Sequence, residues 1–196
     1  FCEPTLEARE ITLKQVINKT GAFEIHPFDE PRVIAGQGTA TLELLKEIED
    51  LDAILTPIGG GGLICGTAIA ATKLNDSISI IGTEPKNADD AYQSFKLGTL
   101  IPQINPNTIA DGLRTSLSEL TFSIIKKYVD EIITVTEEEI IHAMQIILER
   151  MKIVVEPSCA VPLAAVLKKN SNLKNKKIGI ILTGGNVDLQ KLSWNK

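Results

Sequence analysis

The chain has 196 residues, a formal net charge of −5 and 43% hydrophobic residues, proportions that suit one domain, or one domain with a piece of a second. The acidic balance leaves no basic stripe for nucleic acid, and no apolar run is long enough to span a bilayer. Cys2, Cys65 and Cys159 are odd in number, far apart and never in a Cys-x-x-Cys pair, which argues against a disulfide framework or zinc site and for a reducing, cytoplasmic setting.

Phe1-Cys2-Glu3-Pro4 reads as neither a translation start nor a signal peptide. Thr5 to Lys19 places Ile11, Leu13, Val16 and Ile17 among charges, the pattern of an amphipathic helix that Gly21 would end. Ala22 to His26 reads as a short strand. The segment His26-Pro27-Phe28-Asp29-Glu30-Pro31 is a proline-bracketed turn and the expected crossover between domains, since proline disfavours helix on its N-terminal side and donates nothing to a ladder. His26 with Asp29 reads as an acid–base pair or, more simply, as a packed or surface histidine. Val33-Ile34-Ala35-Gly36-Gln37-Gly38-Thr39 is expected to lead into a helix running to about Glu49, with Leu42, Leu45 and Ile48 on one face.

The centre of the pattern is Thr56-Pro57-Ile58-Gly59-Gly60-Gly61-Gly62-Leu63-Ile64-Cys65-Gly66. Asp52 to Leu55 predicts a buried strand before it, and Leu63 to Leu74 a helix after it. Glycines let amide hydrogens converge on one point, and the helix start adds unpaired donors and the positive end of its dipole. The expected guest is a phosphate group. A dinucleotide fingerprint is nearly met, with Glu84 in place for a ribose, but Cys65 stands where the last glycine belongs, and no Walker lysine follows. A tight turn without a ligand is the plainer alternative.

Ile78 to Gly82 predicts the next strand, and alternating strands and helices argue a parallel sheet of α/β class. Glu84-Pro85-Lys86-Asn87-Ala88-Asp89-Asp90 follows at a strand end. Glu84 and Asp90 suit a hard cation such as Mg²⁺ or Ca²⁺, with a backbone carbonyl between them, while Asp89 and Asp90 equally suit capping of the next helix. Leu100 to Arg114 is irregular, and Ile109-Ala110-Asp111-Gly112 looks like a rigid loop that approaches a ligand closely. A helix near Leu120 to Tyr128 and a strand at Ile132 to Val135 come next. Thr136 and Glu139 form a capping box, and Ile140, Met144, Ile147 and Met151 a continuous apolar stripe. Glu156-Pro157-Ser158-Cys159-Ala160 breaks the pattern before a helix to about Lys169. A solvated linker from Lys168 to Lys177 then leads to a buried strand, Ile178 to Leu182, which delivers a second glycine turn, Thr183-Gly184-Gly185-Asn186.

Taken in order, Cys2-Glu3-Pro4, Val33 to Thr39, Gly59 to Gly62, Glu84-Pro85, Asn87-Ala88-Asp89-Asp90, Ile109-Ala110-Asp111-Gly112, Glu149-Arg150-Met151-Lys152, Glu156-Pro157 and Gly184-Gly185-Asn186-Val187-Asp188 resemble the serine/threonine dehydratase family of fold-type II pyridoxal phosphate (PLP) enzymes. The resemblance implies an open, mostly parallel sheet with helices on both faces, residues 1–30 being the end of a small domain and 31–196 the large cofactor-binding domain. It implies that Gly59, Gly60, Gly61, Gly62 and Leu63 hold the cofactor phosphate, that Gly112 lies beside the cofactor, and that Thr183 faces the pyridine nitrogen. Glu84, the Ala88 carbonyl and Asp90 match a site for Mg²⁺, Ca²⁺ or Mn²⁺. Arg150, Lys152 and Asn186 match contacts to a nucleotide effector, ATP, at a subunit interface, although charges at a helix end are ordinarily just solvated.

Phe28 falls where animal members carry an asparagine, and a phenyl ring cannot replace its hydrogen bonds. The resemblance further implies that the cofactor lysine, the serine acid-base group and the substrate-carboxylate loop belong to an amino-terminal segment. On that expectation no catalytic residue lies in this chain, which would be inactive alone. The implied activity is racemisation of serine with dehydration of serine or threonine, in a homodimer. Threonine or 3-hydroxyaspartate dehydration is the nearest alternative, and a non-catalytic phosphate-binding module the alternative of another class.

Overall fold

The computed structural model describes residues 1–3, 6–168 and 172–191. The expected helix start at Thr5 and helix end at Lys169 lie outside them. The sheet is four-stranded and wholly parallel, ordered β3-β2-β1-β4, with β1 at Ala53–Pro57, β2 at Ser79–Pro85, β3 at Glu131–Val135 and β4 at Ile178–Ile180. β1 runs beside β2 with Ala53 opposite Ser79, and β3 pairs with β2 from Ile81 opposite Glu131. The connecting helices are α3 (Gly62–Leu74) after β1, α4 (Asp90–Leu97) and α5 (Glu119–Tyr128) after β2, and α6 (Glu137–Ile146) and α7 (Pro157–Leu167) after β3. Two further helices, α1 (Leu6–Thr20) and α2 (Pro31–Glu47), precede the sheet.

Side-chain alternation along the strands divides the interior into two cores. Ile54 and Ile80 point to the side covered by α2, α3 and α5, among Ile34, Ile64, Phe122 and Ile125. Leu55 and Ile81 point to the other side, among Ile140, Met144, Val161 and Ala165 of α6 and α7. With apolar partners on both faces, β1 is buried at every position, as a central parallel strand must be.

Several local expectations are corrected. Ala22 to His26 is not a strand: Phe23 and Ile25 are exposed and the backbone makes no ladder. Val33 to Thr39 does not lead into a helix but is part of α2, which Pro31 opens at its first turn and Glu30 caps by accepting from the Arg32 amide. The buried face of α2 is Ile34, Gly38, Thr41 and Leu45, while Leu42 and Ile48 are exposed. Gly38 and Gly66 explain this choice, because they let α2 and α3 cross backbone to backbone.

Met151 leaves the apolar stripe for solvent. A π-helical turn over Ile147–Met151 widens the winding and swings the last position off the face. The final strand stops at Ile180, and β4 is only half-buried, because among the described residues it pairs with β1 alone. In the linker, Leu173 is buried rather than solvated. The amphipathic pattern of α1 does produce a helix, ended by Gly21 at φ +68°, with Ile11, Leu13 and Val16 exposed.

The capping box at the start of α6 forms as expected: the Glu139 amide donates to Thr136 Oγ1 at 3.3 Å, and the Glu139 carboxylate accepts from the Thr136 amide at 2.8 Å. Thr136→Ala is therefore expected to cost about 1 kcal/mol, read as a lower denaturation midpoint at unchanged slope.

Candidate functional site

All strands are parallel, so the loops after β1 and β4 emerge at the same sheet edge and bring the two glycine turns together. After β1, the chain turns through Gly61 at φ +91°, which an L side chain would strain, and enters α3 at Gly62. Gly61 offers no side-chain cap to α3. The first turn of α3 is thus left without a side-chain acceptor, the condition in which a helix start can receive an anion.

The surroundings of this loop are tight. A Cβ on Gly61 would lie 2.8 Å from the Thr121 side chain, and one on Gly59 would lie 2.9 Å from the Gly112 carbonyl oxygen. A Cβ on Gly60 would meet the Phe28 ring at 2.2 Å. Phe28 is therefore an aromatic wall laid against the glycine loop. The His26 ring stands edge-on to it at 4.5 Å, and His26 Nδ1 accepts from the Asp29 amide at 2.9 Å. That contact is to backbone, so His26 packs and caps a turn rather than pairing with the Asp29 carboxylate.

Gly112 lies in a 3₁₀ turn over Asp111–Leu113. Its amide donates to Ser158 Oγ at 3.1 Å. Thr183 follows β4, and its amide donates to Cys159 Sγ at 3.2 Å. Gly184, at φ +148°, passes its carbonyl to the Glu156 amide at 3.1 Å. The first turn of α7 thus touches both segments. Beyond the Glu156-Pro157 motif and a break in pattern, the signal in sequence for this role of Ser158 and Cys159 is a pair of polar side chains opening an otherwise apolar helix.

Glu84 and Asp90 are brought together at the end of β2 and are 1% and 3% exposed. Neither Asp89 nor Asp90 caps α4 through its side chain as expected. Glu84 does so from outside the helix, accepting from the Ala91 amide at 3.2 Å and the Tyr92 amide at 2.7 Å. Asp90 accepts from the Leu117 amide through Oδ2 at 3.3 Å, while its Oδ1 is buried without a hydrogen-bond partner. Burial first, and the neighbouring Asp90 second, push the Glu84 carboxyl well above its ordinary range. Burial pushes Asp90 up to about 7. Among the described residues no group of three or more His, Cys, Asp or Glu side chains could hold a metal, so a cation between Glu84 and Asp90 needs backbone oxygen as well, and the buried Ala88 lies between them in sequence.

Arg150, Lys152 and Asn186 are all exposed. Arg150 is in the π-helical turn, Lys152 follows it at φ +61°, and the Asn186 amide donates to Glu156 Oε2 at 3.1 Å. Cys65 is no nucleophile: burial pushes its thiol up to about 12, and Sγ donates to the Thr121 carbonyl. Lys46, Lys73, Lys126 and Lys127 occupy the last turns of α2, α3 and α5, at the sheet edge opposite the glycine loop.

A glycine loop at an uncapped helix start, on an open parallel sheet with helices on both faces, is the architecture of an α/β scaffold. The chain belongs to the pyridoxal-phosphate dependent enzyme family, whose model matches residues 1–184. It is 53% identical over 196 residues to a serine racemase of Dictyostelium discoideum, covering 98% of this chain and 60% of that protein. It is 48% identical over 194 residues to a β-hydroxyaspartate dehydratase of Paracoccus denitrificans, covering 99% and 62% respectively. The structure of maize serine racemase superimposes with a TM-score of 0.94 at 45% identity, over 99% of this chain and 60% of that one. The chain thus spans about three fifths of the length of these relatives.

Proposed function

We propose that this chain is the cofactor-cradling part of a PLP-dependent amino acid racemase and ammonia-lyase acting on serine, with residues 1–30 belonging to a small domain and 31–196 to the large one. The observation that carries this is the glycine loop: side chains are excluded at Gly59, Gly60 and Gly61, and the start of α3 is left uncapped. These residues fit a phosphate, held by the amides of Gly59 to Gly62 and Leu63. When bound, PLP supplies an electron sink that acidifies the α C–H of an attached amino acid.

Gly112 would flank the ring from the opposite loop. Thr183 would offer the ring nitrogen a neutral hydroxyl, which does not keep it protonated as a carboxylate does. Phe28 would exclude water from one side of the cradle. Glu84, Asp90 and the Ala88 carbonyl would hold Mg²⁺ or a similar cation, supported by the orphaned Asp90 Oδ1. The exposed Arg150, Lys152 and Asn186 would contact a nucleotide effector such as ATP at the surface of a dimer.

Dehydration of a 3-hydroxy amino acid is the second reading, favoured by the Paracoccus relative. Racemisation and elimination both begin with loss of the α-proton, so both products are expected from one enzyme. The test is to load the chain with PLP, compete with inorganic phosphate, reduce with borohydride and map the peptides. Competed binding without a specific lysine adduct is expected, and with it no pyruvate from L-serine by this chain alone. A single modified lysine among those of this sequence would overturn the assignment of the chemistry to residues outside it. The complete enzyme is expected to yield both D-serine and pyruvate, separated by chiral chromatography and a coupled assay.

A further inference from the structure

We propose that Ser158 and Cys159, adjacent in the first turn of α7, are positioning residues that set the spacing of the two cofactor-flanking segments; this rests on the PLP reading above. Ser158 is 3% exposed and Cys159 fully buried. α7 is otherwise apolar, and an apolar helix buried against a sheet has no need of polar groups for packing. Both have found work outside the helix. Ser158 Oγ accepts from the Gly112 amide at 3.1 Å, and Cys159 Sγ accepts from the Thr183 amide at 3.2 Å.

Each bond acts at one remove from the cradle. The Gly112 carbonyl oxygen lies 2.9 Å from where a Gly59 Cβ would stand, so whatever moves Gly112 moves the wall of the glycine loop. Thr183 is held at the backbone, which leaves its hydroxyl free to face a ligand. Pro157 fixes the start of α7, and Glu156 adds a second tie to the Thr183 loop through Gly184 and Asn186. One rigid helix turn thus sets both segments, and a small shift in it would move Gly112 and Thr183 together. Neither side chain touches the reacting atoms; each acts through the amide it holds.

Amide hydrogen exchange and bound-PLP absorbance, measured on Cys159→Ala, Cys159→Ser and Ser158→Ala, test this. Without its acceptor, the Thr183 amide is expected to exchange about tenfold faster in Cys159→Ala, with Gly112 unchanged; Ser158→Ala should do the reverse. Bound PLP should show a shifted absorbance band and a changed spectral pH titration in Cys159→Ala, and Cys159→Ser should restore both. In the Cys159 variants, which leave Gly112 and the glycine loop in place, affinity for inorganic phosphate should stay within about twofold. If Cys159→Ala does not fold, Ser158→Ala against wild type decides. A lower melting temperature with unchanged exchange and spectra would make the pair ordinary core filling. Failure of the wild type to take up PLP overturns the cofactor reading instead, while unchanged spectra in variants of a PLP-binding wild type overturn only this one.

Discussion

Raising the pH from about 5.5 to about 8 in cation-free buffer will lower the stability of the folded chain by about 2 kcal/mol through Asp90 alone. The folded pKa of Asp90, about 7, lies above its ordinary value of 3.8 because burial penalises the charged form. A folded state that holds its proton more tightly than the unfolded chain is most stable where both are protonated. That advantage is lost as the pH rises through the folded value. Glu84, raised by burial and by Asp90, changes stability in the same direction.

The two amides that Glu84 accepts work against this by favouring its charged form, but burial is the larger effect. Chemical denaturation at several pH values reads the slope. A flat profile would mean that water reaches both carboxylates. Added Mg²⁺ or Ca²⁺ should remove most of the loss at high pH, because a cation stabilises the same charges that burial opposes. Glu84→Ala should abolish that rescue; rescue unaffected by the substitution would return Glu84 to a purely capping role.

The sheet was legible because its signal is local and periodic. The apolar run Ala53 to Leu55 and the largely apolar Ile78 to Ile81 read as strands covered on both faces, and the tetraglycine loop between them marks a turn. The rigid turn expected at Ile109 to Gly112 is a 3₁₀ turn over Asp111–Leu113, legible because its signal is local. What stayed hidden depends on contacts between distant segments. Glu84 caps α4 across intervening residues, a role that no spacing rule for Asp89 and Asp90 predicts. Ser158 and Cys159 read as a pattern break because their partners lie far away in sequence. Met151 was placed on the apolar stripe by a period of 3.6, and the π-helical turn changed the period.

Glycines were the most ambiguous residues, and α2 illustrates why. Val33 to Thr39 was expected to precede its helix, yet the segment lies within α2, so its two glycines need separate explanations. A Cβ on Gly36 would meet nothing within 4 Å, whereas one on Gly38 would lie 2.8 Å from the Gly66 carbonyl oxygen. The reciprocal contact is tighter: a Cβ on Gly66 would lie 2.4 Å from the Ile34 carbonyl oxygen and 2.5 Å from the Gly38 amide nitrogen. Those are backbone atoms of a packed helix, and they cannot swing aside as a side chain would.

Gly66→Ala must therefore push α2 away from α3, opening the core around Ile34 and Ile64 and breaking the buried Thr41–Thr67 hydrogen bond. The expected loss is roughly 3 kcal/mol or more. Gly36→Ala, in the same helix, should instead stabilise by about 0.5–1 kcal/mol by restricting the unfolded chain and favouring helix. Measured together by chemical denaturation, the pair separates the crossing from helix propensity. Equal and opposite small shifts would mean that α2 and α3 adjust freely, and that the glycines at Gly38 and Gly66 are not what sets the distance between them.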